Sequence, residues 1–125
     1  MSSHDAPRIP SSRSALESAP PPSAQSFVLA VAACRNALAH RPAGLITDVD
    51  GTISAIVSRP EDAAVLPGAA AALQVLVGRL DYLGVLSGRS PDVARVMVAV
   101  DGIDYIGLHG MAHWTPEGVL LHPEV

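Results

Sequence analysis

The chain has 125 residues, enough for one domain with a real core. Nearly half of it is apolar (49%) but only 3% is aromatic, so the core must be built from Ala, Val and Leu, which suits α/β layers better than a β-sandwich. All eight basic residues are arginines. Two acids against three arginines give residues 1–40 a charge of +1, and ten against five give residues 41–125 a charge of −5. Such a surface argues against nucleic acid as a partner.

No apolar run reaches membrane-spanning length, so no membrane partner is expected. Cys34 is alone in the sequence, which leaves no internal disulfide and fits a reducing cytoplasm. Val31-Ala32-Ala33-Cys34 has the look of a lipoprotein cleavage box. The apolar stretch before it is short and has no adjacent positive charge, so that reading is set aside.

Residues 1–26 hold eight serines and five prolines, including Pro20-Pro21-Pro22, and carry too little apolar surface to offset the entropy of ordering. They are expected to form a disordered leader. From Phe27 the composition changes. Phe27, Val31, Cys34 and Leu38 recur at helical spacing, Ser26 is placed to cap the start, and Pro42 marks the end.

The helix delivers the chain into an apolar strand over 43–48 that runs into Asp48-Val49-Asp50-Gly51-Thr52. In an extended backbone, side chains two apart point the same way, so Asp48 and Asp50 are expected to share a small volume at the strand's C-terminal end. Two carboxylates that close repel each other, which suggests a shared proton or a bound cation. Gly51 permits a sharp turn, and Thr52 offers a hydroxyl and an N–H of the kind that hold phosphate oxygens. The plain alternative is an acidic strand-to-turn junction, but a turn alone does not require the second acid.

An irregular segment over 53–62 follows, entering over the strand end where substrate contacts are often carried. Pro67-Gly68 opens a second helix, lined by Leu73, Leu76, Val77 and Leu80. Tyr82–Leu86 reads as a second strand, followed directly by Ser87-Gly88-Arg89. Ser90 caps a third helix with Pro91 at its first position, Asp92 in its first turn, and Val93, Val96, Met97 and Val100 as its stripe. Residues 105–110 give a third strand ending in glycine, and 111–125 a hairpin around Thr115-Pro116-Glu117-Gly118. Alternating strands and helices with short links imply a parallel sheet. Asp101 and Asp104 are read as loop acids at a strand start. His109 and His113 have a helical metal-ligand spacing, but Gly110 between them argues for a turn, so no histidine metal site is expected.

Ligands of parallel α/β sheets bind beyond the C-terminal strand ends, where Asp48, Asp50 and Ser87 all fall. A hydrophobic strand followed by Asp-x-Asp-Gly-Thr resembles the first motif of the haloacid dehalogenase (HAD) superfamily of phosphotransferases. On that resemblance Asp48 is the nucleophile, forming an aspartyl-phosphate, and Asp50 is the general acid/base. Ser87 and the backbone N–H groups of Gly51 and Thr52 hold the phosphate, with Gly88 and Arg89 beside them. Mg²⁺ is held by the Asp48 carboxylate and the Asp50 backbone carbonyl.

Arg59-Pro60, Ser87-Gly88-Arg89, and Gly107-Leu108-His109-Gly110 with the Thr-Pro-Glu-Gly hairpin narrow the resemblance. Together with the Asp motif they are similar to the N-terminal half of the trehalose 6-phosphate phosphatase family, over about residues 27–125. This implies hydrolysis of a small-molecule sugar phosphate, trehalose 6-phosphate, to trehalose and phosphate. The implied fold is a partial Rossmann-like HAD core over 27–110, of three parallel strands with flanking helices, with 111–125 leading into a cap domain.

The family's third motif supplies a lysine and its fourth a further acidic pair. This sequence has no lysine, and no acidic pair follows Gly110. The expectation is therefore a truncated chain, inactive alone, whose first strand leaves an unpaired sheet edge open to self-association. Two other functions stay in view: a HAD phosphatase for another sugar phosphate, and a non-catalytic remnant that binds a partner through that edge.

Overall fold

A computed structural model describes residues 23–124, so the expected leader lies outside the described residues except for its last four. The chain forms two units, one ending at Arg35 and the other starting at Asn36.

Helix α1 spans Ala24–Ala39. Its cap is Ser23 rather than Ser26: the Ser23 hydroxyl accepts the Ser26 N–H at 3.1 Å, and the Ser23 carbonyl accepts that of Phe27 at 3.0 Å. Ala24 and Gln25 both tolerate helix, so the first turn extends back until a serine side chain can satisfy an orphan donor at its third position. At the other end the His40 ring bonds the Asn36 carbonyl at 2.7 Å, closing the last turn before Pro42. None of its residues is buried, and Phe27 and Val31 are exposed.

The second unit is an α/β layer. Strand β1 (Gly44–Thr47) is followed by a 3₁₀ turn at Pro60–Asp62, helix α2 (Pro67–Val77), strand β2 (Tyr82–Leu86), helix α3 (Pro91–Val98) and strand β3 (Asp104–Gly107). A second 3₁₀ turn at Leu108–Gly110 leads into strands β4 (Ala112–Thr115) and β5 (Gly118–Leu121). The five strands form one sheet in the order β1-β2-β3-β4-β5. The first three run parallel, as expected, with Thr47 opposite Val85 and Leu86 opposite Ile106. The hairpin is not separate from them: β4 pairs antiparallel with β3, setting Gly107 opposite Ala112, and β5 pairs with β4. The sheet is thus mixed.

The core lies against the parallel strands and gathers Val49, Leu73, Leu83, Val85, Ala94, Val98, Val100, Ile103 and Tyr105. Helix α2 buries Leu73, with Leu76, Val77 and Leu80 packed beside it as the spacing predicts. Helix α3 meets the core with only part of its expected stripe: Val100 is buried and Met97 packs beside it, but Val93 is exposed. Pro91, Ala94 and Val98 are buried while Val96 is 76% exposed. Ser90 stands at the N-cap position but makes no side-chain bond to the helix backbone. Its hydroxyl, beside the Asp92 carboxylate, holds that group below the ordinary carboxylate range.

Tyr105 is the one aromatic side chain of the core cluster. Its hydroxyl donates to the Val100 carbonyl at 2.6 Å and accepts the Val100 N–H at 3.3 Å, tying β3 to the exit of α3, and its burial raises the phenol pKa. Asp81 plays a similar part at the start of β1, accepting the Ala43 N–H at 2.7 Å. The Arg95 guanidinium lies 4.2 Å from the centroid of the half-buried Trp114 ring, a cation–π contact between α3 and β4. Among the described residues strand β1 pairs on one side only, and Ile46 on it is 58% exposed.

Candidate active site

Strand β1 ends at Thr47, and the chain turns at once. The Val49 side chain is fully buried, and its carbonyl accepts the N–H groups of Thr52, Ile53 and Ser54 at 3.0–3.1 Å and the buried Ser54 hydroxyl at 3.2 Å. The apolar side chain of Val49 anchors the loop to the core. Its neighbours Asp48 and Asp50 are left exposed at the C-terminal end of the strand. The turn requires Gly51, which sits at φ +78°, a conformation costly for a residue with a Cβ.

The two acids do not share one hollow, as their spacing suggested. Asp48 lines a hollow of about 480 Å³ with Ser87, Gly88, His109 and the apolar Ile46 and Leu86. Asp50 lines a neighbouring one of about 410 Å³ with Arg89, Gly88, His109 and the Ile56–Ser58 loop. Gly88 and His109 form the wall common to both.

The difference arises from long-range partners. Arg89 grips Asp50 with two parallel bonds, Nη2 to Oδ1 at 2.7 Å and Nε to Oδ2 at 2.9 Å, and also donates to the Pro60 carbonyl at 3.0 Å. Bidentate charge-assisted pairs of this kind are the strong ones. The Arg89 hydrogen bonds hold the Asp50 carboxyl below its ordinary range, and Asp50 in turn raises the Arg89 value. The Thr52 hydroxyl points at Asp48, 3.5 Å from Oδ2.

Gly51 and Thr52 stand where the sequence placed them, but their N–H groups are already engaged, with Ser54 O at 2.9 Å and Val49 O at 3.1 Å. The expected pair of anion donors is thus committed to the turn in this conformation. The donors beside Asp48 lie elsewhere. Ser87 is 2% exposed, and its hydroxyl oxygen accepts the Arg89 N–H at 3.1 Å, which leaves the hydroxyl proton free to donate. The Gly88 N–H donates to no acceptor among the described residues.

The Ser87–Arg89 loop is fixed from behind. Ser87 N–H bonds Ile106 O at 2.9 Å, Leu108 N–H bonds Arg89 O at 2.9 Å, and His109 N–H bonds Ser87 O at 3.0 Å. Gly107 packs so closely on Pro91 and the Arg89 carbonyl that a Cβ there would collide with backbone. Leu108 (φ +49°) and His109 (φ +56°) occupy the left-handed region, at a strain of about 1–2 kcal/mol each. This turn carries His109 to the site. The spacing of His109 and His113 hid it, because a helical period was the wrong measure. The one signal in the sequence is a histidine between two residues of a glycine-flanked turn, Gly107 to Gly110.

The donor set can be tested against Mg²⁺. Asp48 and Thr52 offer hard oxygens, and the Asp50 carbonyl accepts no backbone hydrogen bond among the described residues. Among those residues no three His, Cys, Asp or Glu side chains converge. Mg²⁺ commonly takes one or two carboxylates and completes its octahedron with water and substrate oxygens, so the residues present fit it as a partial set. No helix among the described residues is long and apolar enough to cross a membrane.

A family model for trehalose-phosphatases matches residues 46–120, more than half of the chain. The trehalose-phosphate phosphatase of Mycobacterium tuberculosis (strain ATCC 25618 / H37Rv) is 42% identical over 81 residues, covering 65% of this chain and 20% of that protein. That of Mycobacterium leprae (strain TN) is 41% identical over 83 residues, covering 65% of this chain and 19% of that protein. An uncharacterized glycosyl hydrolase of Mycobacterium tuberculosis is 43% identical over 79 residues, covering 63% of this chain but 6% of that protein. The match thus spans about a fifth of the length of the curated phosphatases. The matched stretch takes in both acids, the Ser87–Arg89 loop and the strained turn, and by it the chain belongs to the trehalose-phosphatase family.

Proposed function

We propose that this chain carries the phosphoryl-handling half of a sugar-phosphate phosphatase of the HAD type, acting on trehalose 6-phosphate. The observation that carries the reading is the hollow in which the Asp48 carboxylate faces Ser87 and Gly88 from the end of an adjacent parallel strand. A carboxylate nucleophile stands opposite a hydroxyl and an N–H that can hold the oxygens of the group it attacks.

The reaction divides among the residues as follows. Ser87 and the Gly88 N–H orient the phosphoryl group toward Asp48, whose oxygen attacks phosphorus and takes the phosphoryl group as the sugar oxygen leaves. Asp50 supplies the proton that the leaving oxygen needs, then removes one from the water that releases phosphate. The Arg89 fork favours ionised Asp50, the form that acts as base. An incoming phosphate competes for the same guanidinium, and loosening of the fork returns Asp50 toward the protonated form required in the first step. The Asp48 carboxylate and the Asp50 carbonyl would hold Mg²⁺, which when bound supplies positive charge to offset that on the transferring oxygens.

The test is phosphate release from trehalose 6-phosphate by the purified chain with Mg²⁺. Loss of release in Asp48→Asn and after chelation supports the reading. Release unaffected by Asp48→Asn contradicts it.

A second reading is favoured by the edge position of β1 and the exposure of Ile46: a non-catalytic chain that pairs with another copy through that edge. Sedimentation of the chain separates the two. Concentration-dependent dimers abolished by Ile46→Lys, with no turnover, favour the second.

A further inference from the structure

We propose that His109 is a substrate-contacting residue of this site, its imidazole hydrogen-bonding the alcohol portion of the bound phosphomonoester and so selecting for it. The inference rests on the phosphatase reading above and extends it from the phosphoryl group to the group that leaves.

His109 shares with Gly88 the position between the two hollows, Asp48 and Ser87 on one side and Asp50 and Arg89 on the other. A phosphoryl group held between Asp48 and Ser87 must direct its ester oxygen toward Asp50 if Asp50 is to protonate it. The alcohol then passes beside the histidine ring. The ring lies over the glycine: a Cβ built on Gly88 would sit 2.6 Å from His109 Cε1 and 2.9 Å from Nε2. The bonds from Leu108 and His109 N–H to Arg89 O and Ser87 O hold the turn on the Ser87–Arg89 loop, and the ring rests against Gly88.

Nothing in the fold requires an imidazole there. The residue is exposed, and neither ring nitrogen has a hydrogen-bond partner among the described residues. Yet the backbone is held left-handed at φ +56°, ψ +33°, next to Leu108 at φ +49°, although glycine would remove that strain. Strained positions that orient an unpaired polar ring into a cleft are characteristic of ligand contacts. A ring with one N–H donor and one acceptor is suited to a sugar hydroxyl, which offers the complementary pair.

His109→Asn is the informative variant, because asparagine tolerates the left-handed backbone and leaves the turn intact. In the full chain with Mg²⁺, trehalose 6-phosphate is expected to move both the Gly88 amide and the His109 ring resonances in NMR spectra. His109→Asn should bind trehalose 6-phosphate about tenfold more weakly while binding inorganic phosphate as the unsubstituted chain does, with Leu108 and Gly110 amides unshifted. Equal weakening toward both ligands would overturn the assignment to the alcohol. Undiminished sugar-phosphate binding, or a His109 ring that stays unmoved while Gly88 responds, would overturn it and leave the phosphatase reading standing. A Gly88 amide that responds to neither ligand would overturn both.

Discussion

Arg89 and Asp50, 39 residues apart in the sequence, are joined by two parallel bonds of 2.7 and 2.9 Å, so the candidate acid/base is gripped by the loop that follows the second strand. The pair is only partly shielded, with 19% of the arginine side chain and 44% of the aspartate exposed, so its contribution to stability is limited to about 1 kcal/mol. Its effect on protonation is the larger consequence. Arg89→Gln should raise the Asp50 pKa back toward 3.8, read by carboxyl ¹³C shifts against pH. An unchanged Asp50 titration would show that the fork does not persist in solution.

The same pair gives a pH dependence with a definite sign. Asp50 is depressed in the folded chain, so its stabilising effect is complete above its ordinary value of 3.8 and is lost as pH falls through the lower folded value. Asp81 and Asp92 are depressed as well and act in the same acid window. Thermal melts should therefore fall on acidification below about pH 4, and the fall should be shallower in Arg89→Gln.

Tyr105→Phe removes a hydroxyl that both donates to and accepts from Val100, a residue 4% exposed. The variant leaves a buried carbonyl and a buried N–H without their partner, at a cost of about 1–3 kcal/mol. Chemical denaturation measures the loss, and the Val100 amide should exchange faster with solvent. Unchanged stability would mean that water replaces the phenol.

Gly107→Ala places a methyl group against the Pro91 nitrogen and the Arg89 carbonyl, neither of which can give way as a flexible side chain would. The expected destabilisation is at the upper end of about 1–3 kcal/mol. The Ser87–Arg89 loop should shift with it, so phosphate binding should weaken as well. Gly88→Ala is a contrasting case, because its methyl group meets only the end of the His109 side chain, which can swing aside. It should cost less stability but move the His109 ring resonances.

The parts of this site legible in the sequence were those governed by local periodicity. Asp48, Asp50 and Ser87 fall at C-terminal strand ends because apolar runs and short links dictate parallel strands, and the exposed–buried–exposed order of Asp48, Val49 and Asp50 follows from one apolar residue set between two acids. What was not legible depends on which distant groups meet. Spacing alone cannot show that Arg89 claims Asp50 or that the Gly51 and Thr52 N–H groups close the turn on Ser54 and Val49. It also cannot show that Ala94 and Val98, rather than Val93 and Val96, join Val100 in the core. Gly107-Leu108-His109-Gly110 is visible as a motif, but where it places the His109 ring depends on a left-handed turn, which no helical or strand period encodes.

Incubation of the chain with trehalose 6-phosphate and Mg²⁺, followed by acid quench and peptide mass mapping, tests the central claim most directly. The account predicts a phosphoryl increment on the peptide bearing Asp48, absent from Asp48→Asn and lost on treatment with hydroxylamine. Phosphate release with the increment on another residue, or release that persists in Asp48→Asn, would contradict it.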